Sequence, residues 1–568
     1  MWLKKILRLM GAPSRLRTLC ALAVIGALGC VAHSQRAPNE MADLVLVGGV
    51  VVTRAEPHAV TDAVAIRDGR IAAVGNRVDE LVGPATRVIK LNGAVALPGL
   101  VDAHAHIAGF GDALSSIDLR GTRSFAEVLE RVRTAARERG DDWLLGRGWD
   151  QNDWQEKNFP TGADLERVAP GRKVWLRRID GHAGFASPAA LRAARVDRSA
   201  KDPEGGRILR DEKGEPTGVF IDNAMNLVDR AIPPPSQRWR ERGIKAALAR
   251  LSELGLTGVH DMGVPPDALS VLEKLASHGE LPLRIYAVLS GDDPKLEDRY
   301  RRGPVSGEML TIRAVKFFAD GALGSRGAAL LEPYTDDPEN QGLLLTPAAE
   351  LRARIDRAHA AGFQPCVHAI GDRANRLVLD AYENKSALRP RIEHAQVVAP
   401  EDIERFAKLG VVASMQPTHA TSDMPWAPDR LGPKRLAGAY AWRTLQKSGA
   451  HLAFGSDFPV ERPEVLEGLY AAMTRSDRSG QPPGGWRPEE RLDFHQALAG
   501  FTNGAAYASF SETRRGRIET GFDADITVLD GGKALVELAR SGSGDPAVLL
   551  KTRVVATIVA GRVVYARP

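Results

Sequence analysis

Residues 97–106 read Leu97-Pro98-Gly99-Leu100-Val101-Asp102-Ala103-His104-Ala105-His106. Pro98-Gly99 sets a turn, and an apolar strand follows it. Two histidines at i and i+2 on a strand point to the same face, so one metal ion can take both imidazoles. A His-x-His pair alone is a common accident. Its place at the end of an apolar strand, where barrel enzymes set their catalytic groups, gives this one weight.

Downstream, strand and helix alternate, the signature of a parallel sheet or barrel. Eight candidate strands end near His104, Asp261, Leu289, Lys316, His368, His394, Gln416 and Asp457. Helical stretches such as Pro347 to Ala361 and Pro400 to Leu409 separate them. Eight is the number of a closed (β/α)8 barrel, so the expected fold is an α/β TIM barrel over 98–509. One spacing is anomalous: about 150 residues separate His106 from the next credible strand near Gly258, far more than an ordinary loop. An inserted lid over about 110–250 is expected on the active-site face.

The flanks read differently. Asp43 to Val47, Val50 to Thr53, Ala63 to Ile66 and Arg70 to Val74 are β-branched runs, the last two joined by Asp68-Gly69, a hairpin signal. Ala524 to Leu529, Val554 to Val559 and Arg562 to Tyr565 repeat the pattern near the C-terminus. Segments 43–97 and 510–568 are expected to form one small β-sandwich, two separate β-appendages being the alternative.

The chain carries 76 basic and 71 acidic residues. Five of the basic ones fall in the first 29 residues, which hold no acid; without them the two counts are equal at 71. That neutrality speaks against a nucleic-acid partner. The basic start is followed by an apolar run from Leu19 to Leu28, too short to span a bilayer as a mature helix. Ala27-Leu28-Gly29-Cys30 resembles a bacterial lipobox, with Ala27 where Leu, Val or Ile is usual. Residues 1–30 are thus expected to be an export signal, Cys30 a lipid anchor to the membrane and 31–42 a tether. An ordinary cleaved signal or an uncleaved anchor is the alternative. With Cys20 and Cys30 so used, Cys366 has no partner and a disulfide framework is excluded.

The other candidate site residues also sit at strand ends. His368 closes Pro365-Cys366-Val367-His368, His394 closes Arg391-Ile392-Glu393-His394, and Asp457 closes His451 to Asp457. Each alone is as readily a packed histidine or a helix cap; four of only 13 histidines in this series makes a joint accident improbable. Lys316 lies inside the apolar run Ile312 to Phe318, where a charge is costly to bury. Its amine is uncharged, paired with Asp320, converted by CO2 to a metal-bridging carbamate, or held at the rim with its stem packed. Trp149, His182 and Arg326 are candidate substrate contacts, with lid core, lid hydrogen bond and salt bridge as their structural alternatives. His260 and Asp261 read as structural, and Cys366 as packing.

These motifs together resemble the amidohydrolase superfamily, and within it the amidohydrolase-3 group that takes in YtcJ-like proteins and N-substituted formamide deformylases. The resemblance runs from Asp43 to the C-terminus. It rests on Pro98 to His106, Lys316 to Ala328, His368 to Asp372, Glu393-His394 and Gly455-Ser456-Asp457, with Gly148-Trp149-Asp150 and Asp180-Gly181-His182 in the insert. It implies that His104 and His106 bind a buried metal, that a carboxylated Lys316 bridges to a second metal held by His368 and His394, and that Asp457 contacts the first metal and moves protons.

Such a nitrogen- and oxygen-rich set, one or two divalent ions strong, suits Zn2+ best, with Mn2+, Fe2+ or Co2+ open. A divalent ion lowers the pKa of bound water towards ~7, and the hydroxide attacks a carbonyl-type carbon. Asp457 takes the water's proton and returns it to the leaving nitrogen. The expected activity is hydrolysis of non-peptide carbon–nitrogen bonds in a small-molecule amide or formamide. Esterase, lactonase or deaminase chemistry would need no change in the ligands, and a non-catalytic surface binding module would be favoured only if a ligand were missing.

Overall fold

The structure is a computed structural model that describes residues 40–568 apart from 139, 141, 142, 150, 152, 153, 157, 179–182, 204, 205, 235 and 325. The signal, Cys30 and most of the tether, together with His182, lie outside the described residues.

Eight parallel strands form the barrel: β1 (Leu100–Ala105), β2 (Leu256–Val264), β3 (Arg284–Ser290), β4 (Leu310–Phe318), β5 (Gln364–Ala369), β6 (Arg391–His394), β7 (Val412–Met415) and β8 (His451–Phe454). They are hydrogen-bonded in chain order from β1 to β8. This is the (β/α)8 architecture expected from the strand–helix alternation. β8 stops at Phe454, so Asp457 lies three residues past the ladder.

Alternation sorts each strand. Val315, Phe317, Val367 and Ile392 face the helices and join the main apolar core. Met262, Tyr286, Val288, Ala314 and Cys366 fill the barrel's interior. The seam between β8 and β1 has no ladder. The chain beyond β8 closes it: Asp457 N donates to His104 O (2.7 Å) and His106 N to Phe458 O (2.9 Å). Gly455 permits this approach, because a Cβ there would stand 2.4 Å from His104 N and 2.6 Å from Asp102 Oδ1. Asp102 in turn accepts from Ser456 Oγ at 2.6 Å, riveting the same seam.

Strands from the two chain ends share one eight-stranded sheet, in which Ile526–Asp530 pairs antiparallel with Val95–Pro98. Leu44, Leu46, Val64 and Ile66 pack with Ile526, Val528 and Ile558 in a common core. Ala524 N donates to Gly69 O, so the sheet folds back on itself. A mixed six-stranded sheet with strands between Ile117 and Asp222 forms the insert. The helices that flank it, Ile107–Ser115 and Gln237–Glu253, pack on each other at Gly111 and Gly243.

Candidate metal centre

His104, His394 and Asp457 offer ligand atoms within 4.8 Å of one another, and all three are buried. They meet at the C-terminal end of the barrel, the face where barrel loops assemble sites. The His104 ring centroid lies 5.6 Å from that of His106 and 4.7 Å from that of His394, and His368 lies 4.6 Å from His394. His106 Nε2 stands 3.0 Å and His104 Nε2 3.5 Å from Asp457 Oδ1. The structure thus gathers the four histidines and Asp457 named from the sequence.

The hydrogen bonds on the far side of each ring decide which nitrogen faces inward. His104 Nδ1 meets Glu393 Oε2 at 2.7 Å, His106 Nδ1 meets Met262 O at 2.9 Å, and His394 Nδ1 meets Gln416 Oε1 at 2.8 Å. Each partner is an acceptor, so each Nδ1 carries the proton and each Nε2 keeps its lone pair. His368 is turned the other way, with Nε2 towards Gly321 O at 3.3 Å, which frees Nδ1. Such outer partners are what fix a metal-binding imidazole.

Burial, and then the nearby Lys316 amine, pulls His104 down to about 4 and His368 to about 3. Burial also holds His394 well below its ordinary value. These three rings are therefore neutral at physiological pH, as ligands must be. For Asp457 burial pushes upward, but the neighbouring imidazoles of His104 and His106 prevail and hold it below the usual carboxylate range. His104 Nε2 and Asp457 Oδ1 are buried with no hydrogen-bond partner among the described residues. Buried polar atoms are rarely left so. A lone pair and a carboxylate oxygen facing each other across 3.5 Å are the donor set that a divalent cation satisfies.

Lys316 is 2% exposed, on the inner face of β4, and burial lowers its amine below the usual lysine value. Its Nζ lies 5.1 Å from the Phe318 ring centroid. Asp320 does not pair with it. That carboxylate accepts from the backbone N–H groups of Ala329, Ile370 and Gly371.

Trp149 is fully buried in the insert's own core, its Nε1 donating to Leu176 O at 2.9 Å. Arg326 pairs with Asp336 through two contacts at 2.9 and 3.2 Å. His260 Nδ1 accepts from Arg391 at 2.9 Å, and Asp261 accepts from the Ile107 N–H at the start of a helix. Cys366 turns into the barrel and is fully buried; burial pushes its thiol far upward.

Sequence reasoning gave no role to Arg391, Glu393, Gln416 or His419. Arg391 and Glu393 are fully buried inside β6, paired at 2.8 Å, and Glu393 is the acceptor for His104. Burial disfavours the Glu393 charge, but Arg391 and His104 outweigh it and hold the carboxyl far below its ordinary value. An Arg-x-Glu alternation on an apolar strand was the available signal. His394 breaks the alternation that would send it outward with Ile392. Its φ of 75°, followed by 43° at Ala395, turns the ring to the barrel mouth, and Asp457 is likewise left-handed at 64°. Such strain in non-glycine residues gathers at functional sites.

The sequence profile of the Amidohydrolase family matches residues 87–565. The chain is 37% identical to the Bacillus subtilis protein YtcJ over 91% of its own length and 98% of that protein's. It is 27% identical to the N-substituted formamide deformylase of Arthrobacter pascens, over 87% and 94% of the two chains. An uncharacterized metal-dependent hydrolase from Pyrococcus furiosus superposes with a TM-score of 0.73 at 30% identity, covering 89% of this chain and 99% of that one.

Proposed function

Because the chain belongs to the amidohydrolase family, we propose that it hydrolyses a non-peptide carbon–nitrogen bond in a small amide or formamide, using one or two divalent ions, Zn2+ foremost. The observation that carries this reading is the pair of buried atoms His104 Nε2 and Asp457 Oδ1, unpartnered among the described residues and set among the imidazoles of His106, His368 and His394. His104, His106 and Asp457 would hold one ion, and His368 and His394 a second. A bound ion supplies Lewis acidity that polarises the substrate carbonyl and acidifies water.

The chain's own residues do the rest. Asp457, kept ionised at neutral pH, accepts a proton from the attacking water as its oxygen bonds to the carbonyl carbon and the C=O π pair moves onto oxygen. When that pair returns and the C–N bond breaks, Asp457 gives the proton to the leaving nitrogen. Lys316, held towards its neutral form by burial, could add CO2 at Nζ with loss of one proton, and the carbamate would supply oxygen ligands for the bound ions. The formamide class is suggested by the named activity of the Arthrobacter relative.

The test loads the protein with Zn2+ and assays N-alkyl and N-aryl formamides and amides beside esters and lactones. Hydrolysis confined to the C–N substrates is expected, and Asp457→Asn is expected to keep its metal but lose turnover. Turnover only of esters or lactones, or a metal-replete Asp457→Asn of near-normal activity, refutes the reading. The export reading joins this proposal: Cys30→Ser should move the protein from the membrane to the soluble envelope fraction, and an unchanged distribution refutes the anchor.

A further inference from the structure

Helix Pro417–Asp423 follows β7 and carries one imidazole that the metal set leaves unused. His419 is buried, and its ring lies nearly parallel to that of His394, 14° apart at 5.9 Å. The surroundings of its two nitrogens differ. Nδ1 is 3.3 Å from Gln396 Nε2, and the same amide nitrogen is 3.3 Å from Asp423 Oδ2. Asp423 decides which end of the Gln396 amide points this way, because a reversed amide would set its carbonyl oxygen against the carboxylate. Tyr440 donates its hydroxyl to that same oxygen at 2.5 Å and holds the carboxylate in place. Gln396 therefore donates to Nδ1, and the neutral ring carries its proton on Nε2.

That Nε2–H is buried with no hydrogen-bond partner among the described residues. Asp457 Oδ2 is 3.6 Å away, beyond a good hydrogen bond. The ring cannot also ligate a metal, since its one lone pair is taken by Gln396. What remains is a fixed donor aimed into the metal centre.

We propose that His419 is a catalytic residue that donates from Nε2 to the oxygen of the scissile carbonyl. The proposal rests on the hydrolytic reading above. As the water oxygen bonds to carbon, the π pair gathers on the carbonyl oxygen and the His419 N–H stabilises it. His419 keeps its proton throughout, and Asp457 alone transfers one. A preorganised donor at this place favours substrates whose planar carbonyl becomes tetrahedral.

The test uses the Zn2+-loaded full chain and two small anions, tetrahedral methylphosphonate and planar acetate, titrated calorimetrically. His419→Ala is expected to keep wild-type metal content, bind methylphosphonate at least tenfold more weakly, and bind acetate within threefold of wild type. On any formamide the wild type turns over, kcat should fall about 100- to 1,000-fold, the range for a lost oxyanion donor, with KM little changed. Gln396→Leu, which leaves the ring but unlocks it, should show a smaller loss of the same selectivity. Should His419→Ala fail to fold, Gln396→Leu carries the test. Metal loss in step with the substitution, equal weakening of both anions, or an unchanged phosphonate affinity overturns the proposal. If the wild type hydrolyses nothing in the panel, the proposed function fails, while the anion comparison still reads the donor separately.

Discussion

Replacing Glu393 by glutamine should damage the protein in two separable ways. Glu393 and Arg391 are fully buried. The carboxylate accepts Arg391 Nε on one oxygen at 2.8 Å, and Arg391 Nη2 (3.1 Å) and His104 Nδ1 (2.7 Å) on the other. A glutamine offers one acceptor oxygen and turns an NH2 group to either Arg391 or His104, both of them donors. It also strands a guanidinium inside the barrel without a counter-charge. Breaking a buried pair this way costs about 3–5 kcal/mol, a large share of the ~5–15 kcal/mol of a typical domain. Losing the charged acceptor behind His104 should weaken metal binding by about 10- to 100-fold. Urea denaturation of the metal-free protein reads the first effect, and chelator competition for Zn2+ reads the second. Replacing both partners, Arg391→Met with Glu393→Leu, should recover part of the stability and none of the metal affinity, since the charge is gone but His104 still lacks its acceptor. The pH dependence has a definite sign. Glu393 is held below its ordinary value, so its contribution is complete above the unfolded pKa of ~4.3 and is lost as pH falls further. The gap between wild type and Glu393→Gln should be level from about pH 5 to 8 and close in acid. A single variant within about 1 kcal/mol of wild type and with unchanged Zn2+ affinity would refute the reasoning.

Gly455→Ala should fold poorly or lose metal affinity, because its Cβ would press on His104 N and Asp102 Oδ1 across the β8–β1 seam; a variant with wild-type Zn2+ binding would contradict the seam's role. With Cys20 and Cys30 replaced by serine, the buried Cys366 thiol should resist alkylation at pH 8 until the chain is unfolded, as mass spectrometry of native and urea-treated samples would read. Trp149→Ala should cost the insert about 3–5 kcal/mol, the usual range for a buried aromatic, and open it to proteolysis between Ile117 and Asp222 while the barrel stays intact; an unaltered cleavage pattern would argue against its place in the insert core.

The barrel was legible because its strands obey a period of two. Val315, Phe317, Val367 and Ile392 read as one face, while Lys316, Cys366 and His368 fall on the other. The insert announced itself by length alone. How it is built was not legible: the period shows which residues are apolar but not which strands pair, and its sheet is mixed in direction. The place of Arg326 was hidden for another reason. Its partner Asp336 is ten residues on in an irregular loop, where no periodicity links them.

The metal centre lies where that period fails, which explains what the sequence yielded and what it withheld. His104 and His106 obey alternation on β1, so their shared face could be read directly. Glu393 and His394 are neighbours, and alternation would send one in and the other out; both face the site only because His394 leaves the strand with φ at 75°. Asp457 reaches the same point from beyond β8 with φ at 64°, drawn in by its own N–H bond to His104 O. His419 comes from a helix after β7 and has no strand register at all. A reading by period therefore finds ligands that ride on straight strands and misses the groups that orient them, since those are fixed by contacts across the barrel such as Arg391 to Glu393 to His104. The same contacts set which nitrogen of each imidazole carries a proton. The tautomers, on which both metal binding and the His419 donor depend, are a property of the closed barrel and not of any one segment of the chain.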